Sequence, residues 1–220
     1  SKYIKSKNQK KIDFIQNKAF ELSLFLSLPA AIALLIASEE ITSSLFGYGS
    51  FDLLSVKSSA EALFYFALGL PAFSLIKIFS SFLFARHNTK IPFYFSLYSV
   101  FLNILISIYF FNEIGFIIIP IATTISSWFN SVLLFIFLSK KNYFSIKSVL
   151  TYPIFKIIIS TTLASIFFYV LINLFAGYLN YESEFKLLII IMLVIITFIA
   201  YILISLITKA FKISDIKLKY

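Results

Sequence analysis

Apolar residues in this 220-residue chain fall in long unbroken runs. They do not alternate as in a half-buried strand, nor form the narrow stripe of a soluble helix. A bilayer core needs about 20 apolar residues per helix. Six runs come within a few residues of that length: Leu22–Ser38, Ala60–Ala85, Ile91–Phe111, Ile114–Leu138, Ile154–Ala176 and Leu187–Ile207. Asn112-Glu113 separates the third from the fourth, with Gly115 next and Pro120 where a helix start tolerates proline. Together these two runs are too long for one crossing, so a tight helical hairpin is expected. The predicted fold is all-α: a polytopic membrane protein with six transmembrane helices.

Composition agrees. The chain is 60% hydrophobic and 13% charged, against about 45–50% and about 25% in soluble domains. There is no Cys and a single His, which excludes disulfides and Cys/His metal clusters. No GxxxxGK[ST] stretch is present, so no phosphate-cradling ATP loop is expected.

Charge sets the orientation. Ser1–Ala19 carries six lysines; Arg86–Lys90, Ser139–Pro153 and the tail from Thr208 carry most of the other basic residues. These alternate connections hold fifteen of the nineteen Lys and Arg, whereas the opposite connections hold only Lys57 and Lys186 together with seven of the ten acids. Basic residues resist translocation, so the basic side, with both termini, is predicted cytoplasmic. The net charge of +9 is therefore a topology signal, and no nucleic-acid partner is expected. The expected organisation is a basic amphipathic segment (1–21), a four-helix part (22–138), a cytoplasmic loop (139–153), two additional helices (154–208) and a basic tail (209–220). Ile4, Ile12, Phe14 and Ile15 among the first lysines suggest a short helix on the cytoplasmic surface. The segment reads as the end of a loop whose beginning is missing.

Polar residues recur within the runs at helical spacing. Examples are Ser23 and Ser27; Ser74, Lys77 and Ser81; Ser96, Ser99, Asn103 and Ser107; Thr123, Ser127 and Asn130; Thr162, Ser165, Tyr169 and Asn173; and Thr197, Tyr201, Ser205 and Thr208. Lipid offers these groups no partner, so each stripe should face other helices or water. Interhelical bonding explains most Ser and Thr; a cavity wall is the functional alternative, and Asn103, Thr123 and Asn130 are its best candidates. Pro29 and Pro71 each remove a helix hydrogen bond, and Gly69 softens the same turn, which makes them candidate hinges. Lys77 lies about 13 Å into the membrane from Arg86, at 1.5 Å per residue. A charge there costs about 2.5–3.5 kcal/mol, and no acid lies within the cores of the six runs to pair with it. It therefore reads either as a cation facing a wet cavity or as a snorkelling anchor.

Two quoted stretches carry a resemblance. "LPAAIALLIASEEITSSLFGYGSF" (Leu28–Phe51) and "ALGLPAFSLIKIFSSFLFARHNTKIP" (Ala67–Pro92) resemble the MurJ/MviN lipid II flippases. The shared pattern is a proline-broken helix, a Phe-Gly-x-Gly-x-Phe turn, a Gly-Leu helix carrying a lysine, and an Ala-Arg cytoplasmic turn ending in proline. The likeness covers about Ser1–Leu138. Tyr48, Asn88, Ile91 and Glu40 depart from the pattern.

The resemblance implies the second lobe and two extra helices of a larger two-lobed exporter, with a missing N-terminal lobe as partner. It implies a multi-pass protein of the bacterial inner membrane that flips an undecaprenyl-linked anionic lipid and is not an enzyme. Expected substrate-binding residues are Lys77, Asn103 and Asn130. By spacing, the positions of a sodium site found in some relatives would be Asn103, Ser107, Ile119 and Thr123. Ser107 removes the carboxylate of that site, so a high-affinity sodium site is not expected; Asn103, Ser107 and Thr123 are the candidate ion-binding residues for any sodium coupling, and no other cofactor or metal is expected. The alternatives are an exporter of other polysaccharide lipids or drugs, and a membrane scaffold without transport.

Overall fold

A computed structural model describes residues 9–146 and 148–210, and every regular element among them is helical. Helix α1 is Gln9–Ile36 and α2 the short Ser38–Phe46. Next come α3 (Leu53–Phe84), α4 (Lys90–Ile114), α5 (Ile118–Lys140), α6 (Ser148–Leu174) and α7 (Lys186–Ile207). Single 3₁₀ turns, Gly115–Ile117 and Ala176–Tyr178, join α4 to α5 and follow α6. Five stretches are long and apolar enough to cross a membrane: Lys11–Ile36, Leu53–Phe84, Lys90–Lys140, Tyr152–Leu174 and Lys186–Ile207.

The 51-residue stretch Lys90–Lys140 is the expected hairpin. It turns at Gly115 rather than at Asn112-Glu113. Gly115 has φ +73, a left-handed conformation that glycine adopts without a Cβ penalty. Its amide still caps the Phe111 carbonyl, so α4 runs through the two polar residues before it stops.

The amphipathic segment expected at the start is not a separate surface helix over its described part. Residues 9–21 continue directly into α1. Ile12, Gln16 and Phe20, spaced by four, are all buried. That face packs into protein, and the lysines take the other side. Ile4 and the tail lysines Lys212, Lys217 and Lys219 lie outside the described residues, as does Lys147.

The chain forms two compact units, each built from two separate stretches. Ser1–Ser27 and Leu68–Thr151 form one, and Leu28–Ala67 with Tyr152–Tyr220 the other. All three boundaries, at Ser27/Leu28, Ala67/Leu68 and Thr151/Tyr152, fall inside continuous helices, close to Pro29, Gly69-Pro71 and Pro153.

In the first unit, Phe144 from the connection after α5 is seated among Phe20, Phe79, Phe82 and Phe135, at ring-centroid distances of 5.5 to 6.3 Å. Arg86 holds that connection in place. Its Nη1 donates to the Phe82 carbonyl and its Nη2 to that of Tyr143, at 2.8 and 3.1 Å, while the guanidinium covers the Tyr143 ring. With its amide nitrogen toward Tyr143, Gln16 of α1 donates to the same carbonyl at 2.9 Å and accepts from Arg86 Nη1 at 3.0 Å. The core of the second unit is Ala37, Phe168, Ile172, Leu179, Ile190 and Leu193.

Candidate functional site

The polar residues of α4 and α5 meet along an antiparallel seam. Ser96 pairs with Asn130, Ser99 with the Ser126 carbonyl, and Asn103 with Thr123. Each step of three or four residues up α4 is matched by one down α5, as two helices packed side by side require. The Asn103 amide donates to Thr123 Oγ1 at 3.0 Å and to Ser126 Oγ at 3.4 Å. Thr123 Oγ1 in turn donates to the Ile119 carbonyl at 2.8 Å, and Ser126 and Ser127 donate to the Thr123 carbonyl. About 10 Å along the helix axis, Asn130 is 6% exposed; its nitrogen reaches Ser96 and its Oδ1 has no partner. Asn103 and Asn130 thus belong to two separate nodes of one seam.

Three of the four positions expected around a cation, Asn103, Thr123 and the Ile119 carbonyl, do come together. They do so as a chain of neutral hydrogen bonds, while Ser107 Oγ is buried without a partner. Hard cations take oxygen ligands and favour carboxylates. Here an amide nitrogen faces the threonine, and no acid is among the four positions. The four positions offer neutral oxygens only, and three of them already pair with one another.

Lys77 stands apart from this seam. It is exposed on α3 and bonds no group among the described residues. Ser74, one turn earlier, faces α1, and its hydroxyl lies 2.7 Å from that of Ser23. Further up α3, Trp128 Nε1 donates to the Leu68 carbonyl at 3.0 Å. A Cβ on Gly69 would sit 2.9 Å from Thr124 Oγ1, so this glycine permits a close approach of α3 and α5. Pro29 and Pro71 lie inside α1 and α3.

Each unit carries a cleft. The first, of about 640 Å³, lies at the α3–α4 turn among Ser80, Phe84, Thr89, Lys90, Phe93 and Ser96. The second, of about 340 Å³, lies between α2 and the connection after α6. Neither is lined by Lys77, Asn103 or Asn130.

Sequence reasoning missed Lys186. It is 1% exposed at the first turn of α7 and donates to the carbonyls of Gly47 and Tyr181 at 2.7 and 2.5 Å. Its ammonium also lies 4.4 Å from the Tyr48 ring centroid and 4.6 Å from that of Tyr181. Two carbonyls and two aromatic faces replace the water this cation gives up. The signal was there: Lys186 is one of only two basic residues in the otherwise acidic connections.

Comparison with known proteins places these features in a family. The model of the lipid II flippase MurJ family matches residues 1–190. A probable lipid II flippase MurJ of Rickettsia prowazekii (strain Madrid E) is 33% identical over 182 residues, 83% of this chain and 36% of that protein. Another, from Rhizobium meliloti (strain 1021), is 40% identical over 121 residues, 55% of this chain and 23% of its own length. In fold, the chain resembles a solved lipid II flippase MurJ in an inward closed conformation. The TM-score is 0.70 at 23% identity, over 92% of this chain and 40% of the solved one. The chain thus spans about a third or less of the length of these two curated relatives. It belongs to the MurJ lipid II flippase family.

Proposed function

We propose that this chain works as part of a longer transporter that moves a lipid-linked peptidoglycan precursor across the bacterial inner membrane. The observation that carries this reading is the family match over residues 1–190. The basic connections mark the cytoplasmic side, and the unit boundaries at Pro29 and Gly69-Pro71 supply two weakened helices where a rocking transporter needs them. No covalent step is required of the chain, so its role is transport and not catalysis. Lys77, exposed and without a partner, offers a cation to the anionic headgroup. The neutral seam of Asn103 and Asn130 lines the path or stiffens it. Coupling to sodium is not part of the proposal, because the donor set at Asn103, Ser107, Ile119 and Thr123 is neutral.

A scaffold reading is favoured by one observation: Asn103, Thr123 and Ser126 satisfy one another and need no ligand. The deciding experiment expresses this chain, with and without an N-terminal lobe, in cells depleted of their own flippase. Restored exposure of the lipid precursor outside the cell by the two-lobe protein supports transport. Failure of a folded, membrane-inserted two-lobe protein refutes it.

A further inference from the structure

The second unit's cleft of about 340 Å³ holds charges of both signs. Glu39, Glu40, Ser43, Lys57, Asn180 and Tyr181 line it. Neither glutamate pairs with Lys57 or with any other cation among the described residues. Glu39 and Lys57 are exposed, whereas Glu40 is half-buried, and a partly desolvated charge without a counter-ion is costly. Burial pushes the Glu40 carboxyl above the usual carboxylate range, and the neighbouring Glu39 adds to this. Ser43 is 4% exposed, and its Oγ has no partner. A wall with an orphaned buried hydroxyl and a half-buried, unpaired carboxyl leaves two groups for an occupant to satisfy.

The cleft is also preformed. The Tyr181 hydroxyl donates to the Phe51 carbonyl at 2.9 Å, and Lys186 ties the carbonyls of Tyr181 and Gly47 together. The connection after α6 is thus pinned to the turn after α2, and little ordering remains to be done on binding. The volume is near the lower end of small-ligand sites, about 300–1,000 Å³, and matches one or two amino-acid residues. A simple cation would face Lys57, and a simple anion would face two glutamates. A zwitterion satisfies both signs. The cleft sits at the end of α7 where the helix begins, about 33 Å from its basic end, which puts it on the side opposite the basic connections.

We propose that this cleft receives the charged peptide end of the translocated lipid, with ammonium groups on Glu39 and Glu40 and a carboxylate on Lys57. Ser43 and Asn180 supply hydrogen bonds to the peptide. This deepens the transport reading above and rests on it. The test titrates the chain, reconstituted in lipid nanodiscs, with the dipeptide lysylalanine and with its N-acetylated, C-amidated form. Saturable binding of the free dipeptide, absent for the blocked form, is expected. Affinity should fall about tenfold in Glu39→Gln/Glu40→Gln and again about tenfold in Lys57→Met, each an interaction with a charged group. No saturable binding, equal binding of the blocked dipeptide, or unchanged affinity in both variants overturns the proposal. The two dipeptides need no variant, so the comparison stands even where a substitution disturbs folding. If the dipeptide does not bind while the two-lobe protein still exposes lipid, the cleft proposal fails and the transport reading survives. If the two-lobe protein fails to expose lipid, transport fails whatever the dipeptide does.

Discussion

Lys186 is buried with carbonyl and aromatic partners but no carboxylate, and a lysine so placed must be worth its desolvation. Its ammonium ties the turn at Gly47 to the approach of α7. Lys186→Met keeps the length and removes the charge, leaving two carbonyls without their donor. A loss of about 2–4 kcal/mol is expected. It is read as a lower melting temperature of the purified chain in one detergent; an unchanged melting temperature refutes the cage as a stabilising device. Other residues show the limit of spacing arguments. Thr162, Ser165 and Asn173 form a clean stripe, yet each donates to a carbonyl of α6 itself, four residues earlier. Short polar side chains can satisfy themselves on their own helix, so this stripe needs no partner helix. Among the residues of α6 whose burial is described, Ser160 and Thr161 are the buried polar ones. Ser160 meets Thr208 at 2.8 Å, the kind of interhelical contact expected. Arg86 reads in the sequence as a membrane anchor; in the fold it also clamps Tyr143 and Gln16.

At the scale of elements, the hairpin was readable because it combines excess length, a polar break and a glycine. Its register was not, since only the pairing of Asn103 with Thr123 and of Ser96 with Asn130 fixes which turns face each other. Gly69 is the clearest case of an element decided by packing. Beside Pro71 it reads as a soft hinge. In the fold it also lets α3 approach α5, since a methyl group would meet Thr124 Oγ1 at 2.9 Å. Gly69→Ala is therefore expected to cost about 1–3 kcal/mol by overpacking, despite the gain in helix propensity. Gly69→Ala/Thr124→Ala should recover part of that loss. A single variant as stable as the parent, measured by thermal unfolding, contradicts the close-approach account. Helix α1 shows packing extending an element: before Leu22, Ile12, Gln16 and Phe20 bury one face of a helix that is continuous with the apolar run.

At the scale of the molecule, the three unit boundaries lie near prolines inside unbroken helices, two of them at Pro29 and Pro71. Pro29→Ala with Pro71→Ala restores two backbone donors and stiffens α1 and α3. In the two-lobe protein, translocation is expected to fall about tenfold, the scale of a gating defect, with the melting temperature unchanged or raised. Full translocation in this variant removes the hinge role. Lys77→Ala should likewise lose transport while folding normally, since Lys77 has no partner among the described residues to leave behind. Retained transport makes it an anchor.

The sequence by itself determined the membrane class, the helical architecture, the hairpin and the family, because run length, composition and local motifs are properties of neighbouring residues. Only the tertiary structure decided which polar groups pair, how the chain divides into units, how carbonyls and aromatic rings enclose Lys186, and that Lys57 shares a cleft with Glu39 and Glu40. Those outcomes depend on residues far apart in the chain, such as Gly47 with Lys186 and Glu39 with Asn180, and no local pattern encodes their meeting.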